Sequence, residues 1–187
     1  MKVGLLGLQG AFLDHIPHLE KLGVEYLIVK SVEQLDGVDR LIIPGGESTV
    51  MEKFLDMFAM TEPLRARINA GMPVWGICAG SILLAETVDD RSGILGVLPA
   101  DVTRNAYGRQ LESSEKYIAV PDLQRPNFHA MFIRSPRIEK VGPHVDVLSS
   151  VDNDPVFVRS GHVMATTFHP ELTDDPVFHD YFLTKVF

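Results

Sequence analysis

Short apolar runs alternate with runs of helical spacing through the first half of the chain. Val3–Leu8 predicts a buried strand, and Phe12, Ile16, Leu19 and Leu22 then recur on one helical face that Gly23 ends. Glu25–Val29 predicts a second strand, Ser31 the cap of a short helical turn, and Arg40–Ile43 a third strand. Beyond Pro44-Gly45-Gly46, the positions Met51, Phe54, Leu55 and Phe58 return to helical spacing. Pro63–Ala70 predicts a further helix stopped at Gly71, Pro73–Ile77 a fourth strand, and Ser81 to Glu86 an apolar helix. Such β-α-β alternation implies a parallel sheet with helices on both faces.

The second half follows another rhythm. Candidate strands at Asp101–Asn105, Tyr117–Val120, Ala130–Ile133, Val145–Ser149, Val156–Arg159 and Val163–Phe168 are joined by short polar or proline-bearing segments. This spacing predicts added antiparallel hairpins, with Arg159-Ser160-Gly161-His162 as a tight turn. A last helix near Asp175–Val186 carries Phe178 and Phe182 on one face and has Asp174 or Asp175 near its start. The expected fold class is α/β, a three-layer sandwich around a mostly parallel central sheet. No repeat or long linker divides the chain, so residues 1–187 are expected to form a single domain.

Composition narrows the function. The formal charge is −8 and no Lys/Arg run interrupts it, which argues against nucleic acid or an anionic membrane as a partner. The apolar N-terminus is broken by Gln9 and followed by Gly10 and Asp14, unlike a signal peptide, and no apolar run has the ~20 residues of a membrane span. The 187 residues hold one cysteine, Cys78, which excludes an internal disulfide and a multi-cysteine zinc site. A cytoplasmic location is expected, with one thiol to explain.

That thiol sits in Gly76-Ile77-Cys78-Ala79-Gly80, between a predicted strand and a predicted helix. A lone cysteine is more often a small buried packing residue. Here its surroundings match a nucleophile on a sharp strand-to-helix turn, where side chains two positions away must vanish. The adjacent helix N-terminus favours thiolate, and the N–H of Ala79 is directed to where an oxyanion forms.

A thiol nucleophile needs an imidazole base, and the imidazole needs a group that fixes its tautomer. Phe168-His169-Pro170-Glu171 supplies both, if extended backbone places His169 and Glu171 on the same side. Pro170 puts the stretch at a strand end. Among the other histidines, His15 and His18 lie three apart and read as a solvated helix face more readily than a metal pair. His129, His144, His162 and His179 show no chemical neighbourhood.

Pro44-Gly45-Gly46-Glu47-Ser48 follows a strand and opens a helix, either as a simple turn with Ser48 as N-cap or as a place where backbone approaches a ligand. Gly4, Gly7 and Gly10 have the wrong spacing for a dinucleotide fingerprint.

Together these motifs resemble the class I glutamine amidotransferases, a flavodoxin-like α/β family with a G-x-C-x-G elbow and a distant H-P-E. Within that family the chain is most similar to the glutaminase subunits of pyridoxal 5′-phosphate synthases. The resemblance rests on Gly4 to Ala11, Pro44 to Thr49, Gly76 to Gly80, Arg104-Asn105 with Gly108-Arg109-Gln110, Phe132 to Pro136, and Phe168 to Thr173, in that order. It implies a triad of Cys78, His169 and Glu171 and an oxyanion hole of the Gly46 and Ala79 N–H groups. It places L-glutamine against Gly46, Glu47, Ser48, Arg104, Ile133 and Arg134, with Arg104 on the α-carboxylate. It further implies ammonia transfer to a separate synthase subunit in a hetero-oligomer, with no metal or organic cofactor in the hydrolytic step. Ile77 and Ala106 depart from the family pattern, where small hydroxyl residues are common; neither is a triad position. Rival readings are a glutaminase of another synthase, such as the one making imidazole glycerol phosphate, a non-hydrolytic cysteine protein on a similar fold, and a regulator that has lost catalysis.

Overall fold

The computed structural model describes residues 1–104 and 113–187. The first strand, β1 (Lys2–Leu6), leads through a short 3₁₀ turn into α1 (Ile16–Lys21), and then β2 (Glu25–Val29), α2 (Val32–Asp36) and β3 (Arg40–Ile43) follow. Helices α3 (Ser48–Met57) and α4 (Thr61–Asn69) precede β4 (Val74–Ile77), and α5 (Ala79–Leu84) follows it. Thereafter strands dominate: β5 (Ala85–Val88), β6 (Arg91–Ser92), β7 (Leu98–Thr103), β8 (Ser113–Val120), β9 (Arg125–Ile133), β10 (Arg137–Val141), β11 (Asp146–Val151), β12 (Asp154–Ser160) and β13 (Val163–Thr166). Helix α6 (Val177–Lys185) ends the chain.

The central sheet has seven strands in the order β11-β12-β13-β4-β3-β1-β2. Pairings among β2, β1, β3, β4 and β13 are parallel, whereas β12 and β11 are added antiparallel at one edge. This is the expected flavodoxin-like order, reversed between β1 and β3, and the crevice at the carboxyl ends of such strands is where ligands bind. Strand residues buried on both faces divide between two cores. Leu41, Ile43 and Val74 pack with Met51, Leu64 and Leu83 on one side; Ile42, Trp75 and Ile77 pack with Leu19, Phe178 and Phe182 on the other. The near-continuous apolar runs of the first half arise because helices cover both faces of a parallel sheet.

Ser31 accepts the Gln34 N–H at 3.4 Å, as its sequence position predicts, and Asp175 Oδ1 accepts the Val177 N–H at the start of α6 at 3.1 Å. The predicted tight turn joins β12 to β13, with Ser160 opposite Val163 and Gly161 at φ 55°. Other boundaries differ. The apolar helix after Cys78 stops at Leu84, and Ala85 and Glu86 already belong to β5, because β5 pairs with β7 in a four-stranded sheet of order β10-β7-β5-β6. Neither β6 nor β10 carries a periodic pattern; β6 is fixed by its hairpin with β5 and β10 by tertiary pairing with β7. The predicted strand at Asp101–Asn105 is shifted to Leu98–Thr103, and its last position, like Ala106 and Gly108-Arg109-Gln110, lies outside the described residues.

Candidate active site

Strand β4 keeps its ladder up to Cys78, whose N–H donates to the Thr166 carbonyl at 2.8 Å. The backbone then turns at φ 49°, ψ −102°, a strained conformation for a residue with a Cβ, and α5 begins at the next residue. The two elbow glycines are required by contact. A Cβ on Gly76 would stand 2.5 Å from the Gly80 carbonyl oxygen, and one on Gly80 would stand 2.2 Å from that of Ile43. The Ser81 hydroxyl donates to the Cys78 carbonyl at 2.6 Å and braces the turn. Cys78 itself is 6% exposed, with its Sγ 3.8 Å from the Ile133 carbonyl oxygen.

His169 arrives from β13, the neighbour of β4 in the sheet, and its N–H donates to the Met131 carbonyl at 2.9 Å. Its Nδ1 lies 2.7 Å from Glu171 Oε1, and its side chain also hydrogen-bonds Cys78. The pairing does not come from strand alternation, as the spacing of two suggests. Residues Pro170–Leu172 form a single 3₁₀ turn, and the turn curls Glu171 back beneath the imidazole. Burial opposes the imidazolium, but hydrogen bonds to Cys78 and Glu171 and the charges of both overcome it, raising His169 to about 10. Burial raises Glu171, yet the His169 hydrogen bond and the nearby histidines outweigh it and hold the carboxyl below its ordinary value. Both groups are therefore held ready as an ion pair at neutral pH.

The loop after β3 completes the front of the site. Gly45 lies flat against the His169 ring, where a Cβ would come within 2.4 Å of Cε1. The Gly45 carbonyl accepts the Ala11 N–H at 2.9 Å, which fixes the Gly45–Gly46 peptide and turns the Gly46 N–H to the opposite side. Gln9, just past β1, accepts the Glu47 N–H at 2.9 Å and presses on Gly46. Ser48 is buried as the first residue of α3 and is not its cap, since Glu47 holds the cap position without a side-chain bond. Loops from β1, β3, β4 and β13 thus meet in one cleft of ≈ 380 Å³. Cys78, Ala79 and His169 form its floor; Gly46, Glu47, Ser48, Arg104, Ile133 and Arg134 line its walls. Every site residue expected from sequence reaches this cleft except Glu171, which lies fully covered behind His169. Arg104 is anchored, its Nε donating to Asp89 Oδ2 at 2.7 Å and its N–H to Asp89 Oδ1 at 2.9 Å. Gln9, Gly45 and Ile82 also line the cleft and were not assigned from sequence. A polar Gln9 at the end of an apolar strand was the available signal for the first.

The family model for SNO glutamine amidotransferases matches residues 5–187. The chain belongs to the SNO glutamine amidotransferase family. It is 53% identical to the pyridoxal 5′-phosphate synthase subunit PdxT of Thermotoga maritima, over 100% of both chains, and 48% identical to that of Herpetosiphon aurantiacus, over 98% of this chain and 99% of that one. A solved crystal structure of a glutamine amidotransferase superposes with a TM-score of 0.91 at 44% identity, covering 97% of this chain and 96% of that one. PurLQS from Thermotoga maritima shares the fold at a TM-score of 0.68 and 18% identity.

In this amidotransferase the remaining histidines need correction. His15 and His18 do not form a solvated face: they are 0% and 5% exposed, and His179, without a chemical neighbourhood in sequence, is packed against both. Sequence spacing places His15 and His18 on one helix; in the structure His15 ends the 3₁₀ turn before α1, His18 lies in α1, and His179 of α6 packs over both. His129 pairs with Glu115 at 2.9 Å and stacks on Tyr117, and His162 bonds the Ile68 carbonyl at 2.7 Å. Ile77, one of the two departures from the family pattern, is fully buried beside the core aromatics. Among the described residues, no helix is long and apolar enough to cross a membrane.

Proposed function

We propose that residues 1–187 form one glutaminase domain that hydrolyses L-glutamine through Cys78, His169 and Glu171. Cys78 thiolate attacks the side-chain amide carbon, and the N–H groups of Ala79 and Gly46 receive the oxyanion. His169 then gives its proton to the departing ammonia, which leaves a glutamyl thioester on Cys78. Water, deprotonated by His169, attacks the thioester and releases glutamate and the thiol. Glu171 keeps the His169 proton on Nδ1 when the ring is neutral and balances the imidazolium when it is charged. Arg104, held by Asp89, is assigned to the substrate α-carboxylate, and Glu47, Ser48, Ile133 and Arg134 to the rest of the amino acid.

The observation that carries this reading is the convergence of a strained cysteine elbow and a buried His–Glu pair at the carboxyl ends of two adjacent parallel strands. The PdxT relatives are named as subunits of pyridoxal 5′-phosphate synthase, and their identity to this chain spans its whole length. The ammonia is accordingly assigned to the synthase subunit of a pyridoxal 5′-phosphate synthase, in the cytoplasm. The test is glutamate release from glutamine with and without that subunit. A sharp rise with the subunit is expected. No release in either condition would overturn the assignment.

A further inference from the structure

Three histidines from opposite ends of the chain pack together behind Glu171. The His18 and His179 rings stack at 4.3 Å with 9° between planes, and His15 Nδ1 lies 2.9 Å from His179 Nε2. His15 also meets Trp75 edge-on at 5.8 Å. His18 Nε2 is 3.1 Å from the Glu171 carbonyl oxygen, which can only accept, so His18 carries its proton there. Three buried polar atoms around this cluster have no hydrogen-bond partner among the described residues: Glu171 Oε2, His15 Nε2 and His179 Nδ1. Buried carboxylate oxygens are costly to leave unmatched, and here an acceptor and a ring nitrogen that can donate are both orphaned, on side chains near enough to influence each other electrostatically.

Resting on the triad assignment above, we propose that His15 is a positioning residue for the glutaminase reaction. Its Nε2–H serves Glu171 Oε2 through one ordered water and holds the carboxylate square to His169. The hydrogen-bond directions then close along one line. His15 donates from Nε2 and must accept at Nδ1, so His179 donates from its Nε2. The line runs from His179 to His15 to Glu171, with His169 donating to the other carboxylate oxygen. The opposite tautomers leave Glu171 Oε2 without a donor. A neutral donor suits this position because a second cation would compete with the His169 imidazolium for the same carboxylate. The groups facing His15 are Glu171, His18, His169 and His179; burial outweighs the pull of Glu171 and lowers His15 to about 4, so the ring is neutral at pH 7. His179, also buried, is lowered too.

Imidazole ¹⁵N NMR of the wild-type protein tests the assignment without any substitution. The expected result is a neutral His15 at pH 7 with its proton on Nε2; a proton on Nδ1, or a charged ring, would overturn the proposal. His15→Phe and His15→Gln, assayed with the synthase subunit, test the consequence. His15→Phe is expected to lower kcat by about tenfold or more with KM changed less than about threefold, and to move the pH profile of Cys78 alkylation upward. His15→Gln, which keeps a donor, should recover most of that loss. In a Glu171→Gln background the His15→Phe effect should shrink to less than about twofold. An equal loss in both backgrounds, or an unmoved alkylation profile, would show that His15 only packs. Absence of glutaminase activity in the wild type would instead fault the triad reading and leave the tautomer result standing. If His15→Phe does not fold, the tautomer measurement decides alone.

Discussion

Substituting Gly45 by alanine tests how tightly the proposed triad is held. The backbone at Gly45 is not in the left-handed region, so the substitution carries no conformational strain of its own. Its effect is contact alone. The new Cβ would lie 2.4 Å from His169 Cε1 and 3.0 Å from Nδ1. Carbon atoms settle about 3.5 Å apart, so the ring must retreat by about 1 Å. Its partner Glu171 Oε1 stands at 2.7 Å from Nδ1, and a shift of that size takes a bond of this length out of good range or turns Nε2 away from Cys78. A 1 Å misplacement of a reacting group costs on the order of 100-fold, or about 2.7 kcal/mol in the barrier. The expectation for Gly45→Ala is therefore a kcat about 100-fold lower with KM changed little. The assay is steady-state glutamate release with the synthase subunit present, alongside a urea titration to show that the variant is folded. A kcat within about threefold of wild type would refute the reasoning, because the ring would then have room that the structure denies it.

Cys78→Ala should abolish glutamate release while circular dichroism and the thermal transition stay close to wild type; measurable turnover would sink the nucleophile assignment. Glu171→Gln should cost less than Cys78→Ala, since the proposed mechanism has Glu171 orient without reacting, which single-turnover rates of thioester formation would check. Gly80→Ala drives a Cβ to within 2.2 Å of the Ile43 carbonyl oxygen, a backbone atom in the buried sheet, and should lower stability by about 2–4 kcal/mol in urea unfolding. The burial of His15 makes stability depend on pH. Its folded value of about 4 lies below the ordinary 6.5, so the unfolded chain binds the proton more readily between them. Its contribution is whole well above pH 6.5 and declines by about 2 kcal/mol as pH falls to 5, a loss that His15→Phe should remove from the urea midpoints at pH 7 and 5.

The local pattern of the sequence was enough for the elements of the parallel half. Glu25–Val29 and Arg40–Ile43 are strands at the residues their apolar runs mark; Arg40–Ile43 is buried throughout, and a strand covered on both faces has little choice of side chain. The elbow was legible for a similar reason: a residue forced to positive φ, with flanking positions pressed against neighbouring carbonyls, leaves glycines two residues to either side. The H-P-E motif marked His169 and Glu171 as neighbours, and a 3₁₀ turn, not an extended strand, brings them together. Tertiary structure alone decided the rest. Strands β5 and β10 exist because β7 pairs with both, and β6 because a tight turn at Asp89-Asp90 folds it back on β5; no local periodicity records these pairings. The burial of His15, His18 and His179 depends on α6 packing against α1 across the end of the chain, so a polar pair with helical spacing looked solvated. Residue type and spacing could single out the groups that meet in the cleft, since the proposed reaction needs those groups. Only the fold could say that Gly45 presses on the His169 ring and that three more histidines stand behind Glu171, because contact between distant segments is written in no single stretch of sequence.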